Sequence, residues 1–211
     1  MGHVPHVYRG GPWEAEELGL TRSQRDHLER VLRLKSGTPL SYTDGQGMVG
    51  LGSYDSGIVI RGEEVSQPRP TELIVASAPP TSRDRARFLV EKLAELGVAR
   101  LQWLSTVNGN RRIPLPEKAM AWTISALEQS RGAWLMTVDE ALVGWSDLNS
   151  PVAAADPGGE APYSLRPQTV VIGPEGGWAP GELPAMTTRL DLGTTILRIE
   201  TAAVVAAARL I

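Results

Sequence analysis

The sequence predicts an α/β protein in which a small β-rich unit precedes a larger domain built on a mainly parallel sheet. Residues 1–66 alternate short strand patterns with turn signals, whereas strand patterns alternate with helical ones beyond residue 71. Between these regions, the segment SQPRPT at 66–71 carries two closely spaced prolines, which favour an extended linker. We therefore place the domains at 1–68 and 69–211.

The first domain is expected to contain four strands, two hairpin-like turns and one helix. Its strands are predicted at 4–8, 39–44, 48–54 and 58–65, with the turns at DGQG and DSG. The helix opens at Thr21, which is spaced from Gln24 as in a capping box, and it closes at Gly37. Its buried face is expected to hold Leu28, Val31 and Leu32. This mostly β unit would suit a small barrel.

The second domain alternates strands with helices. Strands are predicted at 72–78, 100–106, 169–172 and 189–193, with a short one around 151–156. Helices are predicted at 83–97, 116–132, 180–188 and 201–211. The first of these has an apolar face made of Ala86, Leu89, Val90, Leu93 and Leu96. Such alternation is typical of a parallel sheet covered by helices.

Composition excludes several classes of site. The absence of cysteine excludes disulfides, a thiol nucleophile and cysteine-ligated zinc, and the three histidines, all within the first 27 residues, lack ligand spacing. We therefore expect no metal. No apolar run approaches the ~20 residues of a membrane span, so we expect a cytoplasmic protein without a membrane partner. With a net charge of −3, any nucleic-acid contact requires local basic patches.

Two loops after predicted strands point to a binding site. Ligands of open α/β sheets collect beyond the carboxyl ends of strands. Residues 170–178, VVIGPEGGW, join a buried strand to a loop with three glycines, which allow backbone to approach a ligand closely. Residues 191–203, DLGTTILRIETAA, form a longer and more apolar connection than a turn requires. The sequence has no GxxxxGK[ST] loop, no GxGxxG after a strand and no GxSxG elbow, so ordinary nucleotide binding and serine hydrolysis are not supported.

Together these segments resemble a known family. IGPEGGW, LGTTILRIETAA, RDHLERVLRLKSGT and FLVEKLAELGVARLQWL are similar to segments of the RsmE-type uridine-N3 methyltransferases of 16S ribosomal RNA, in the SPOUT superfamily. The resemblance implies a PUA-like β-barrel over 1–68 and a SPOUT α/β domain over 69–211, with a trefoil knot at about 169–205. It also implies S-adenosylmethionine as cofactor, a homodimer, no metal, and ribosomal RNA or the small ribosomal subunit as partner.

The resemblance also implies roles for individual residues. The cofactor would be held by Ile172, Gly173, Pro174, Glu175, Gly176, Gly177, Leu192, Gly193, Ile196, Leu197 and Arg198. Arg198 and Glu200 are the expected catalytic residues, although an Arg198–Glu200 ion pair at a helix start is the alternative interpretation. RNA contacts are expected from His6, Tyr8, Arg30, Arg33, Arg83 and Arg85, and each of the four arginines could instead lie on a solvated helix face.

The chain departs from the family pattern where the family would face RNA or the partner subunit. His6 stands where the family has arginine, Arg131 and Gly132 are exchanged, and Ile199 replaces a threonine. The glycines on the cofactor side are intact. Two alternatives therefore stay open: the same fold acting on another RNA, and an RNA-binding or assembly protein that keeps the cofactor pocket without turnover. A non-RNA α/β enzyme is a more distant third.

Overall fold

The chain divides into two units, described here from a computed structural model over residues 4–160, 167–185 and 187–211. The first unit comprises Met1–Arg69 and Leu127–Leu135, and the second comprises Pro70–Ala126 and Met136–Ile211. The first division falls inside the predicted linker. The return of 127–135 to the first unit was not predicted, and hydrogen bonds join this segment to that unit. The Glu128 carboxylate accepts from the Tyr8 backbone N–H at 2.9 Å, and the Ala133 carbonyl accepts from Gly47 N–H at 2.9 Å.

The first unit is built on a five-stranded sheet in the order β1-β3-β4-β5-β2. Its strands are β1 His6–Tyr8, β2 Glu17–Gly19, β3 Pro39–Thr43, β4 Met48–Asp55 and β5 Ile58–Ser66. β1 is parallel to β3 and the other pairs are antiparallel. Both predicted hairpin turns are present, and the second is tight because Ser56 and Gly57 both adopt positive φ. The sheet covers a core that includes Leu40 and Tyr42.

The helix predicted between Thr21 and Gly37 is shorter and changes type. α1, Arg22–Asp26, begins with the predicted Thr21–Gln24 capping box and continues as a π-helical turn, His27–Val31. Leu28 is buried as expected, but Val31 and Leu32 are 66% and 43% exposed, so that part of the prediction was wrong. The i→i+5 bonding of the π turn shifts side chains off the 3.6-residue face that the prediction assumed. The helix then ends before Arg33, whose φ is 54°.

The second unit is a six-stranded parallel sheet in the order β11-β9-β10-β6-β7-β8. Its strands are β6 Ile74–Ser77, β7 Arg100–Leu104, β8 Thr137–Val143, β9 Val152–Glu160, β10 Thr169–Ile172 and β11 Thr188–Leu190. Its helices are α2 Arg83–Glu95, α3 Pro116–Ser130 and α4 Ile199–Leu210. The predicted α/β class with a parallel sheet is confirmed. None of the helices in the described part of the chain has the length and apolarity needed to cross a bilayer.

One local prediction in this unit fails, and one strand was not predicted. The helix expected at 180–188 is absent: the described residues there form turns that lead into β11. Gly181 at φ 77° and Pro184 oppose helix formation, and the Glu182 carboxylate accepts the N–H groups of Val107 and Ala179 instead. β8 was not predicted, because its side chains are exposed or half-buried at the sheet edge and leave no apolar pattern.

Candidate methyl-donor pocket

The two loops singled out in the sequence meet at one edge of the parallel sheet. β10 and β11 both pair in parallel with β9, so the carboxyl ends of all three strands lie together. After β10, the chain turns so that Gly177 N–H donates to the Pro174 carbonyl at 2.9 Å. After β11, Gly193 N–H donates to the Asp191 carboxylate at 2.9 Å. Gly177 and Gly193 have φ of 72° and 130°, conformations that side-chain-bearing residues rarely adopt.

These loops enclose a pocket of about 220 Å³. Most of the predicted cofactor residues line it, namely Ile172, Gly173, Pro174, Glu175, Gly177, Leu192, Gly193, Ile196 and Leu197. Gly176 and Arg198 are not among the lining residues. The middle of β9, just past its pairing with β10, adds Ala155, Asp156 and Pro157, which sequence reasoning missed although it expected a strand there. The strand order, which brings β9 between β10 and β11, explains this addition.

A third loop, which follows β7, is hydrogen-bonded to the GPEGG turn. The Asn108 side-chain amide donates to the Gly177 carbonyl at 3.0 Å. A Cβ on Gly176 would lie 3.1 Å from the Asn108 Cβ, so glycine permits this close approach. No local pattern in the sequence indicates this contact, because its two partners are 69 residues apart. The turn is thus held from outside the pocket as well as by its own hydrogen bond.

Trp178, directly after the GPEGG turn, both packs into the domain and lines the pocket. Its ring lies 5.4 Å from that of Trp145, centroid to centroid, in a tilted arrangement. A Cβ added at Gly173 would lie only 2.8 Å from the Trp178 ring, so glycine is required for this packing. The indole therefore forms part of the pocket wall at a position fixed by Trp145 and Gly173.

Arg85, at the start of α2, forms ion pairs with two carboxylates of the site region. Its Nη1 lies 2.5 Å from Glu175 Oε1, and its Nε lies 3.8 Å from Glu200 Oε1. Glu200 is only 7% exposed, and its Oε2 is buried without a hydrogen-bond partner among the described residues. The alternative Arg198–Glu200 pair does not form. Arg198 is the exposed N-cap residue of α4.

The residues expected to bind RNA fall into different environments. Arg30, Arg33 and Arg83 are exposed, whereas Tyr8 is half-buried. His6 is only 6% exposed; Ser41 Oγ lies 2.8 Å from its Nδ1, and its Nε2 lies 3.2 Å from the Gly132 carbonyl. Burial is the main cause that lowers the pKa of His6 below its usual range. The hydrogen bond to the Gly132 carbonyl raises this pKa and so opposes burial, whereas the positive charge of Arg131 lowers it further. This closed setting does not favour the expected contact between His6 and phosphate.

Comparison with known proteins identifies the class to which this fold and pocket belong. A family model described as an RNA methyltransferase domain matches residues 67–211. The ribosomal RNA small subunit methyltransferase E of Synechocystis sp. is 30% identical, over 90% of this chain and 71% of the relative. The chain therefore belongs to the ribosomal RNA small subunit methyltransferase E family, which confirms the resemblance stated from the sequence.

Solved structures show the same fold along almost the whole chain. A "probable rRNA-methyltransferase" from Porphyromonas gingivalis is 25% identical with a TM-score of 0.83, over 97% of this chain and 96% of that one. The small subunit methyltransferase E from Neisseria gonorrhoeae, solved with bound S-adenosyl methionine, is 24% identical with a TM-score of 0.81. That alignment covers 98% of this chain and 96% of that one.

Proposed function

We propose that this protein transfers a methyl group from S-adenosylmethionine to N3 of a uridine in small-subunit ribosomal RNA. The observation that carries the proposal is the pocket beyond the ends of β10 and β11 and beside the middle of β9, enclosed by glycine-rich and apolar loops in a chain of this family. The Synechocystis relative carries the name of a small-subunit ribosomal RNA methyltransferase. The Neisseria structure contains S-adenosyl methionine.

The pocket residues fit such a donor. S-adenosylmethionine combines a flat purine, a ribose and a charged methionine part, and it therefore needs apolar walls together with backbone polar groups. Leu192, Leu197 and Ile199 supply apolar surface, and the loops at Gly173 and Gly193 bring backbone N–H and C=O groups to the pocket without side chains in between. The donor, when bound, supplies an activated methyl group on a sulfonium. The protein then needs only to hold and orient the reactants.

We assign different tasks to the two residues expected to be catalytic. Arg198 is exposed at the start of α4, and its guanidinium has no ion-pair partner among the described residues, so it is free to contact RNA or the charge that develops on uracil. Glu200 is buried beside Arg85, and we assign it to positioning Arg85. Through Arg85, this carboxylate would help to set the position of Glu175 in the pocket wall.

RNA binding is assigned to exposed arginines of each unit. Arg30 and Arg33 in the first unit and Arg83 in the second present guanidinium groups that suit phosphate contacts, which position RNA without reading its sequence. Arg85 already pairs with two carboxylates, and we assign it to the pocket instead. Tyr8 stays a proposed contact through its half-buried ring.

The larger organisation is also part of the proposal. We infer that the first unit is a PUA-like barrel, that residues 169–205 form a trefoil knot, and that the protein works as a cytoplasmic homodimer. The curled five-stranded sheet and the likeness to the Porphyromonas structure support the barrel and the knot. Ile196, on the pocket rim, is 86% exposed, which would be explained by a second subunit covering it.

The direct test is transfer of a labelled methyl group to small ribosomal subunits from cells that lack the modification. We expect incorporation at one uridine, mapped as N3-methyluridine by nuclease digestion and mass spectrometry. Arg198→Ala should reduce transfer at least tenfold with unchanged folding, whereas Arg209→Ala, an exposed arginine later on the same helix, should not. Donor binding without transfer to subunits or to free RNA would instead favour the assembly-protein alternative.

A further inference from the structure

The pocket has an unusual charge lining. Three acidic residues line it, Asp156, Glu175 and Asp191. Over 4–160, 167–185 and 187–211, no lysine, arginine or histidine is among the lining residues. Clefts lined by one sign of charge raise the local concentration of ligands of the opposite sign. The lining therefore predicts a ligand with positive charge.

The three carboxylates are not equivalent, because two of them are already paired. Asp156 Oδ2 lies 2.7 Å from Arg189 Nη1, and Glu175 Oε1 lies 2.5 Å from Arg85 Nη1. Asp191 has no cation within ion-pair distance among the described residues, and its Oδ1 accepts only the N–H of Gly193. Of the three acidic residues, Asp191 is therefore the one whose charge is not paired with a cation among the described residues.

We propose that Asp191 recognises the positive charge of the methyl donor and selects S-adenosylmethionine over its product, S-adenosylhomocysteine. The inference depends on the proposed function. Transfer breaks the bond between sulfur and the methyl carbon, leaves that electron pair on sulfur, and forms a bond from the methyl carbon to N3, whose proton passes to solvent. The sulfonium becomes a neutral thioether, so the ligand loses one positive charge while Asp191 keeps its negative one.

This charge difference has a kinetic consequence. A carboxylate that attracts the donor by charge attracts the product less, since the two ligands otherwise share their atoms apart from the methyl group. The interaction therefore favours exchange of spent product for fresh donor. The competing explanation is that Asp191 serves only to cap the turn at Gly193.

The substitution Asp191→Asn separates these explanations, because asparagine keeps the oxygen that accepts from Gly193 and removes the charge. Calorimetric titration should show about tenfold weaker binding of S-adenosylmethionine, equivalent to about 1.4 kcal/mol, and less than about twofold change for S-adenosylhomocysteine. Asp55→Asn, the same charge change in the β4–β5 hairpin of the first unit, should alter neither affinity.

A second measurement uses the unmodified protein and so does not depend on the folding of a variant. Raising the salt concentration should weaken donor binding more than product binding, because screening acts on the additional charge. Equal weakening of both ligands by Asp191→Asn, or equal salt dependence, would overturn the inference while leaving the proposed function intact. Failure of the unmodified protein to bind the donor would overturn both.

Discussion

The ion pair between Arg85 and Glu200 allows a quantitative test of how burial changes the coupling energy between two charged side chains. The Arg85 Nε and Glu200 Oε1 atoms are 3.8 Å apart, and Glu200 is almost completely buried. At this distance the Coulomb energy is about 4 kcal/mol for an effective dielectric constant of about 20. The Arg85 side chain is 31% exposed, so solvent screening should reduce the coupling to about 2 kcal/mol.

The assay is a double-mutant cycle built from Arg85→Ala, Glu200→Gln and the double variant. Free energies of unfolding are measured by urea titration, and the coupling is the departure from additivity. The Arg85–Glu175 pair does not contribute to the coupling energy, because Arg85→Ala removes that pair both in the unmodified protein and in the Glu200→Gln variant. Glu200→Gln should also relieve part of the cost of Arg85→Ala, since no buried charge is then left without its cation.

A matched cycle on the same helix supplies the control. Arg87 and Glu91 approach to 2.7 Å, closer than Arg85 and Glu200, but the Arg87 side chain is 56% exposed. Exposed pairs at this spacing contribute about 0.3–0.5 kcal/mol. We therefore expect the longer, buried pair to couple more strongly than the shorter, exposed one. Equal coupling in the two cycles, or weaker coupling at Glu200, would refute the argument that burial dominates distance here.

Two further predictions concern His6 and Gly173. Because the pKa of folded His6 is lowered, the unfolded chain takes up the proton first as pH falls, so stability should decline below about pH 6.5. His6→Gln should make unfolding by urea less pH-dependent between about pH 7.5 and about pH 5.5, and an unchanged dependence would contradict the assignment. Gly173→Ala should displace the Trp178 ring, alter tryptophan fluorescence and weaken donor binding about tenfold, consistent with overpacking costs of about 1–3 kcal/mol. Gly19→Ala, which has open space around its added Cβ, is the control, and identical spectra for both variants would count against the packing argument.

The pocket was largely predictable because its signals are local in sequence. The strand at 169–172 is followed directly by GPEGG, and the connection around Gly193 is apolar and too long for a simple turn. Strand ends, glycine and apolar loop residues are properties that a short window of sequence reveals. Even so, the family resemblance was needed to connect the two loops with a particular ligand.

The remaining parts of the site depend on contacts between distant residues. Arg85 and Glu175 are 90 residues apart, and the sequence suggested only a solvated or RNA-facing arginine. Asp156 enters the pocket because β9 lies between β10 and β11, an order that strand patterns alone do not fix. The change to a π turn after Asp26 was equally hidden, since hydrophobic periodicity assumes one bonding pattern along a helix.

The continuity of α3 has a consequence for how this protein can be divided or recombined. The boundary between the units falls within the helix, after Ala126, so that Glu128 and its neighbours complete the first unit. A fragment that stops at Arg69 lacks the carboxylate that accepts from Tyr8 and Gln24. The first unit is therefore not encoded by one continuous stretch of the chain, because it needs both Met1–Arg69 and Leu127–Leu135. A chimaera that takes this unit from a relative must replace both segments at once.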